Sequence, residues 1–192
     1  TRSQAAVASD RPFVLVRAGQ LIRAFKSLMG AIADQKSGDV IEVRSNEALV
    51  VELPSPTPEL LSIRAGSGFR PRLRFKPSAS STAIPASARW SFAGCDLDLR
   101  QVQLALNSPE GAAECQLVDC GVWGGAFGGW AKFTATDCIL IFSSEGGFYS
   151  SPRLESEVVL ENCALQNRYW FFTVSQGTHK LVLRHCTYYE VD

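Results

Sequence analysis

Asp119 and Asp137 each stand one residue before a cysteine, Cys120 and Cys138. If those two segments stack, their carboxylates come close enough to hold calcium or to divide the roles of general acid and base. Asn162 extends the row, Asp96 and Glu161 flank it, and Arg64 is the arginine taken with the pair as a catalytic set. Asp and Asn are also the residues that best tolerate a left-handed corner. That conformational reading is favoured, because the dense Asp-x-Asp character of a calcium-binding solenoid is missing. No cofactor is implied, and calcium is the alternative that the paired carboxylates admit.

A second kind of chemistry is binding. In FRPRLRFK, residues 69–76, Phe69, Leu73 and Phe75 alternate with Arg70, Arg72, Arg74 and Lys76, and Arg44 and Arg64 add to the outward cations. Such a patch suits an acidic polysaccharide, a phosphate-bearing polymer or an acidic protein. Nucleic acid is disfavoured, since nineteen basic and nineteen acidic residues cancel and no fold signature for it is present. Aromatic rings are the other candidates. Trp123 and Trp130 lie in GVWGGAFGGW, Tyr149 in EGGFYSS, and Tyr169 and Trp170 in RYWFF. Read as outward insertions on consecutive coils, they line one groove and stack on the apolar faces of sugars. The competing reading packs the same rings on the protein itself. His179 and His185 are the only histidines, and no nucleophile elbow, P-loop or HExxH motif is present.

What must position these groups is a repeat. Align WSFAGCDLDL, CQLVDCGVW, KFTATDCILIF, VVLENCALQ and KLVLRHCTYY on the cysteine. Apolar residues recur five and three before it and two after it. The frame extends back to IEVRSN and LSIRAG, with Asn46 and Gly66 in the cysteine's place. The reference positions 46, 66, 95, 120, 138, 163 and 186 are spaced by 20, 29, 25, 18, 25 and 23 residues. A constant core pattern at a variable period marks a solenoid. Each coil carries a half-buried strand, a two-residue corner and a second strand. The corner residues are Ser45, Gly94, Asp119, Asp137, Asn162 and His185. The cysteines then stack inside one edge as small, soft core residues with raised thiol pKa values, a reading favoured over disulfides or a metal site. Cys115 joins the row five before the reference.

FVLVRAGQLIRAF reads as two strands around Gly19. In SLMGAIADQKSGDVIEV, Ser27 caps a short helix with Leu28, Ala31, Ile32 and Gln35 on one face, and Gly38 stops it. This segment resembles the entry of right-handed parallel β-helix proteins of the pectate-lyase-like superfamily, where a helix of the form S-L-x-x-A-I leads through G-D-x-I to the first strand. FVLVRAG, GDVIEVRSN and LSIRAGSGFRPRLRF also resemble β-helix regions of large planctomycete-type bacterial proteins, some of which follow a kinase domain and a membrane anchor. The resemblance covers residues 13 to about 75 in motif detail and rests beyond that on the repeat. It implies pectate lyases, polygalacturonases or noncatalytic sugar-binding and adhesion modules. Neither the lyase's calcium-binding carboxylates nor the hydrolase's three aspartates can be placed residue by residue.

The expected architecture is therefore all-β: a right-handed parallel β-helix of about seven coils. Residues 1–12 are a linker and 13–192 one domain, with strands and a capping helix over 13–38. The Pro/Ser-rich stretches SPTPE and KPSASSTAIPAS are loops thrown out of coils. The expected function is a noncatalytic module of a larger protein that binds a carbohydrate or protein partner. A polysaccharide lyase or hydrolase and a structural spacer are the alternatives. No stretch is apolar enough to span a membrane. An extracytoplasmic place in a membrane-anchored protein and a homodimer through an open solenoid end are further expectations.

Overall fold

The computed structural model describes residues 10–76, 83–100, 102–106, 112–142, 147–149, 155–167, 172–173 and 178–190. Strands form where apolar residues alternate. Leu61 and Ile63, Trp90 and Phe92, Cys115 and Leu117, Phe133 and Ala135, and Val158 and Leu160 are all buried, as one covered face requires. Each strand pairs in parallel with its equivalent one turn later. In the first sheet Arg89–Ala93 pairs with Glu114–Val118, followed by Lys132–Thr136, Ser156–Glu161 and His179–Arg184. The second sheet runs through Arg72–Phe75, Asp96–Asp98, Gly121–Trp123, Ile139–Ile141, Ala164–Asn167 and Thr187–Glu190. A third sheet closes the turn with Ala83–Ile84, Gln103–Leu106, Ala126–Gly128, Phe148–Tyr149 and Phe172–Thr173.

The chain is thus a parallel β-solenoid. Five strands make the third sheet while the second has seven, so about five turns are three-sided rather than the seven coils expected. Ala83 and Ile84, expected in a loop, belong to the third sheet.

The corner between the first two sheets explains the cysteine pattern. Asp119, Asp137, Asn162 and His185 adopt φ of 50°, 56°, 52° and 52°, and Gly94 67°. This is the left-handed region, which costs an ordinary L-residue about 1–2 kcal/mol and Asp, Asn or Gly less. The next residue then points inward. Cys95, Cys120, Cys138 and Cys163 are buried there, and all six cysteines are free thiols. Each corner thiol donates to the carbonyl two residues back, for example Cys138 to Thr136 at 3.2 Å and Cys163 to Glu161 at 3.2 Å. Burial raises the Cys95 and Cys115 pKa values. Contacts with the Cys120 and Cys163 thiols, added to burial, raise that of Cys138. Cys120 and Cys163 depart from the uniform rise expected: each faces the Cys138 thiol, which lowers its pKa.

The two earliest coils break the alignment. Ile41 pairs with Ile63 and Val43 with Ala65, two residues away from the register that matches Asn46 to Gly66. These coils lack the tight corner. Four residues separate Val43 from Ala48, and six separate Ala65 from Arg72. Ser45 therefore has no left-handed role, and Phe69, expected inside, is 37% exposed.

The strands Phe13–Arg17 and Gln20–Phe25 form a hairpin that pairs antiparallel with Val40–Val43. The helix Leu28–Asp34 follows, with Gly30 N–H donating to Ser27 Oγ at 3.2 Å. It buries Leu28 and Ala31 in the core. It ends at Gln35 with extended backbone, ahead of the Gly38 expected to stop it; Gly38 (φ 83°) instead turns the chain towards Asp39. Arg17 donates to the buried Asp39 carboxylate at 2.7 and 2.8 Å. That guanidinium holds the Asp39 pKa at about 2, below its ordinary 3.8. A depressed carboxylate stabilises the fold above its unfolded pKa and loses that contribution as pH falls through the folded value. The cap's protection against hydrogen exchange should therefore be constant from neutrality down to about pH 5 and fall between about pH 4 and 2. Asp39→Asn should flatten that acid limb; an unchanged limb would remove Asp39 from the account.

At the other end of the stack, Leu181, Leu183 and Tyr188 are 40%, 50% and 50% exposed, although they continue the inward rows of the preceding coils.

Candidate functional site

In the second sheet Leu73, Leu97, Val122 and Leu140 point inward and are fully buried. Alternation therefore sends Arg72, Arg74, Asp96, Asp98 and Trp123 to the outer face. In-register pairing brings them together: Arg72 lies beside Asp96, Arg74 beside Asp98, and Asp98 beside Trp123. Gly121 leaves the outer face open next to Trp123, and the indole lies over it. A Cβ at Gly121 would fall 2.5 Å from Trp123 Cζ3 and 2.8 Å from Asp96 Oδ1. The Arg72 guanidinium sits 5.6 Å from the centre of the indole, a cation–π contact that pins the ring.

Asp98 is the hub of the cations. Arg100 donates to it at 2.9 and 2.7 Å and Arg72 at 3.2 Å, and Arg74 Nε lies 3.5 Å away. These hydrogen bonds, Arg100's foremost, hold the Asp98 pKa at about 2 against the cost of burial. Arg74, Phe75, Asp98 and Arg100 line a cleft of about 420 Å³. At the corner end of the same face Arg70 donates to Asp96 at 3.1 Å and to Asp119 at 2.7 Å. The Asp119 hydrogen bond is the main reason that the Arg70 pKa is raised.

The expected residues thus divide. Arg70, Arg72, Arg74 and Trp123 share one surface, on which each arginine meets a carboxylate, Arg70 at Asp96 and Asp119 and the other two at the single carboxylate of Asp98. Asp119 belongs to Arg70, whereas Asp137 accepts from Asn162 Nδ2 at 2.5 Å. Arg64 donates to Glu42 at 3.1 and 3.2 Å on the first sheet, so Arg70 and not Arg64 is the arginine that reaches Asp119. Among the described residues no cluster of three or more His, Cys, Asp or Glu is placed to hold a metal.

Trp130 is not on an outward loop. It is 4% exposed and packs edge-on against Trp90 at 5.8 Å. The segment that holds it is no insertion. Gly124 and Gly125, at φ 70° and 74°, turn the chain from the second sheet directly into the third, and a Cβ at Gly125 would meet the Leu99 carbonyl at 2.9 Å. Tyr149 lies on a strand of the third sheet, with its side chain outside the described residues. Tyr169 and Trp170 also lie outside them.

The outer face of the first sheet presents Arg89, Glu114, Lys132, Glu157 and Lys180 as successive neighbours. Their signs alternate, and Lys180 meets Glu157 at 2.7 Å, so each charge in that row has a neighbour of opposite sign. Sequence reading passed over Asp98 and Arg100. The alternation in DLDLR placed Asp98 outside, but only the correct register sets it opposite Arg74. No helix among the described residues is long and apolar enough to cross a membrane. Comparison of the chain with protein-family models, with curated proteins and with solved structures finds no match.

Proposed function

We propose that this solenoid is a noncatalytic carbohydrate-binding module of a larger protein, and that the outer face around Trp123 is its binding surface. The observation that carries the proposal is the indole laid over Gly121 and held by Arg72. A fixed ring beside polar groups stacks on the apolar face of a sugar while its neighbours take the hydroxyls. The same reading places the chain with the pectate-lyase-like parallel β-helices, on the SLMGAI and GDVIEV segments, and in an extracytoplasmic part of a bacterial protein. It favours binding over lyase chemistry because Arg70 is tied to two carboxylates and its pKa is raised, the opposite of what a general base needs.

A glycan array that includes polygalacturonate and alginate tests this. The wild-type protein should bind a defined carbohydrate set. Trp123→Ala should weaken that binding at least about tenfold, or about 1.4 kcal/mol, without a change in thermal unfolding. Gly121→Ala, which pushes the ring away from its seat, should weaken it in the same direction. Binding that both variants leave intact would refute the proposal. Turnover of polygalacturonate would replace it, with the lyase reading if unsaturated ends form and with the hydrolase reading if reducing ends form without unsaturation.

A further inference from the structure

Three guanidiniums converge on one carboxylate at the Asp98 end of this face. Asp98 is 3% exposed, while Arg72, Arg74 and Arg100 are 41%, 50% and 58% exposed. Oδ2 alone meets Arg72 at 3.2 Å, Arg74 at 3.5 Å and Arg100 at 2.7 Å. Among the described residues one carboxylate faces three cations, so two of the positive charges have no carboxylate of their own beside the 420 Å³ cleft. A further sign of incomplete satisfaction is Arg72 Nε, which is buried without a hydrogen-bond partner. The corner end is of opposite character, with Asp96 and Asp119 sharing the single cation of Arg70. The face is therefore electrically polar, with Trp123 beside both ends.

We infer that the ligand is an anionic glycan, and that Asp98 acts as an internal counter-ion that holds Arg72, Arg74 and Arg100 in place for the ligand's acidic groups. Carboxylates or sulfate esters of the chain meet the outward edges of Arg74 and Arg100, which match such groups in pairs. The sugar face rests on Trp123. Hydroxyls turned to the corner donate to Asp96 and Asp119. Asp98 does not touch the ligand; it is a positioning residue that sets the surplus charge. The inference rests on the binding face proposed above and adds the ligand's chemical class and the source of its recognition.

The number of surplus cations is read by salt dependence, because each anion–cation contact formed on binding displaces a counter-ion. Affinity is measured against salt for oligogalacturonate, for its methyl ester, which has the same rings without the charge, and for inorganic polyphosphate, which has charge without rings. For oligogalacturonate the logarithm of affinity should fall against the logarithm of salt concentration with a slope of about −2. Arg74→Gln and Arg100→Gln, at exposed positions, should each bring it to about −1 and weaken binding several-fold at low salt. Asp98→Asn should steepen it to about −3; the two arginine variants keep the test intact if this one fails to fold. The methyl ester should bind more weakly and with almost no salt dependence. Equal affinity for acid and ester, or slopes that Arg74→Gln and Arg100→Gln leave unchanged, would overturn the inference while leaving the sugar-binding face standing. Polyphosphate binding with these slopes, without binding of either glycan, would uphold the arginine site and remove the carbohydrate reading. No binding of either polyanion would overturn the inference.

Discussion

Phe133→Ala lowers the free energy of unfolding by about 3–5 kcal/mol. Phe133 is fully buried. Its ring centre lies 4.9 Å from that of Phe127 and 4.6 Å from that of Phe148, and Phe148 in turn lies 5.4 Å from Phe142. Phe133 comes from the first sheet, Phe142 follows a strand of the second, and Phe127 and Phe148 come from the third. The cluster is where the three walls of the solenoid meet. Each wall is held by ladder hydrogen bonds to the coils on either side, so none can move in to fill the space, and the cost lies at the unrelaxed end of the range. Stability in a solenoid is shared between neighbouring coils, and the neighbours of the 18-residue coil between Cys120 and Cys138 lose their contact with it. Phe133→Leu should cost less than about 1.5–2 kcal/mol, and Thr134→Ala, on the outer face, less than about 0.5 kcal/mol. Urea unfolding of the three variants checks this. A loss below about 1 kcal/mol for Phe133→Ala would mean that the third wall does not close on the core.

That third wall was the part of the fold least visible in the sequence. Its strands hold two to four residues, too few to display an alternation. Glycine-rich GVWGGAFGGW therefore looks like a loop, and Phe127 and Trp130 look outward. The glycines are instead the residues that allow two corners within the shortest coil. The corner from the first to the second sheet was legible from Gly94 onward, because left-handed backbone selects Gly, Asp, Asn or His and the cysteine follows at a fixed step. Before Gly94 no such constraint operates. The six residues between Ala65 and Arg72 carry no mark of their number, so a register anchored on Gly66 sets Asp98 opposite Phe69. The structure sets it opposite Arg74. That shift of five hid the arginine cluster, since Arg70 meets Asp96 and Arg72 meets Asp98 26 residues further along the chain. Trp123 reads as an outward ring of an insertion; that it ends a strand of the second sheet, its seat on Gly121 and its arginine were not legible.

The assignment of inward and outward rows supports every functional statement above, and the thiols report it directly. Cys95, Cys115, Cys120, Cys138 and Cys163 are at most 2% exposed, and Cys186, in the last coil, is half-buried. Alkylation requires the thiolate to meet the reagent. Even where the Cys138 thiol lowers the pKa of Cys120 and Cys163, access depends on opening of the coil. In native protein without reductant, time-resolved alkylation read by mass spectrometry should modify Cys186 first. The other five should react at least about a hundredfold more slowly than after denaturation, the factor that corresponds to about 2.8 kcal/mol of opening. Denatured protein should take up six labels. A mass showing any of the six already joined in disulfides, or Cys120, Cys138 and Cys163 labelled as fast in the native as in the denatured state, would contradict the stacked corner, and the Trp123 face would lose its foundation.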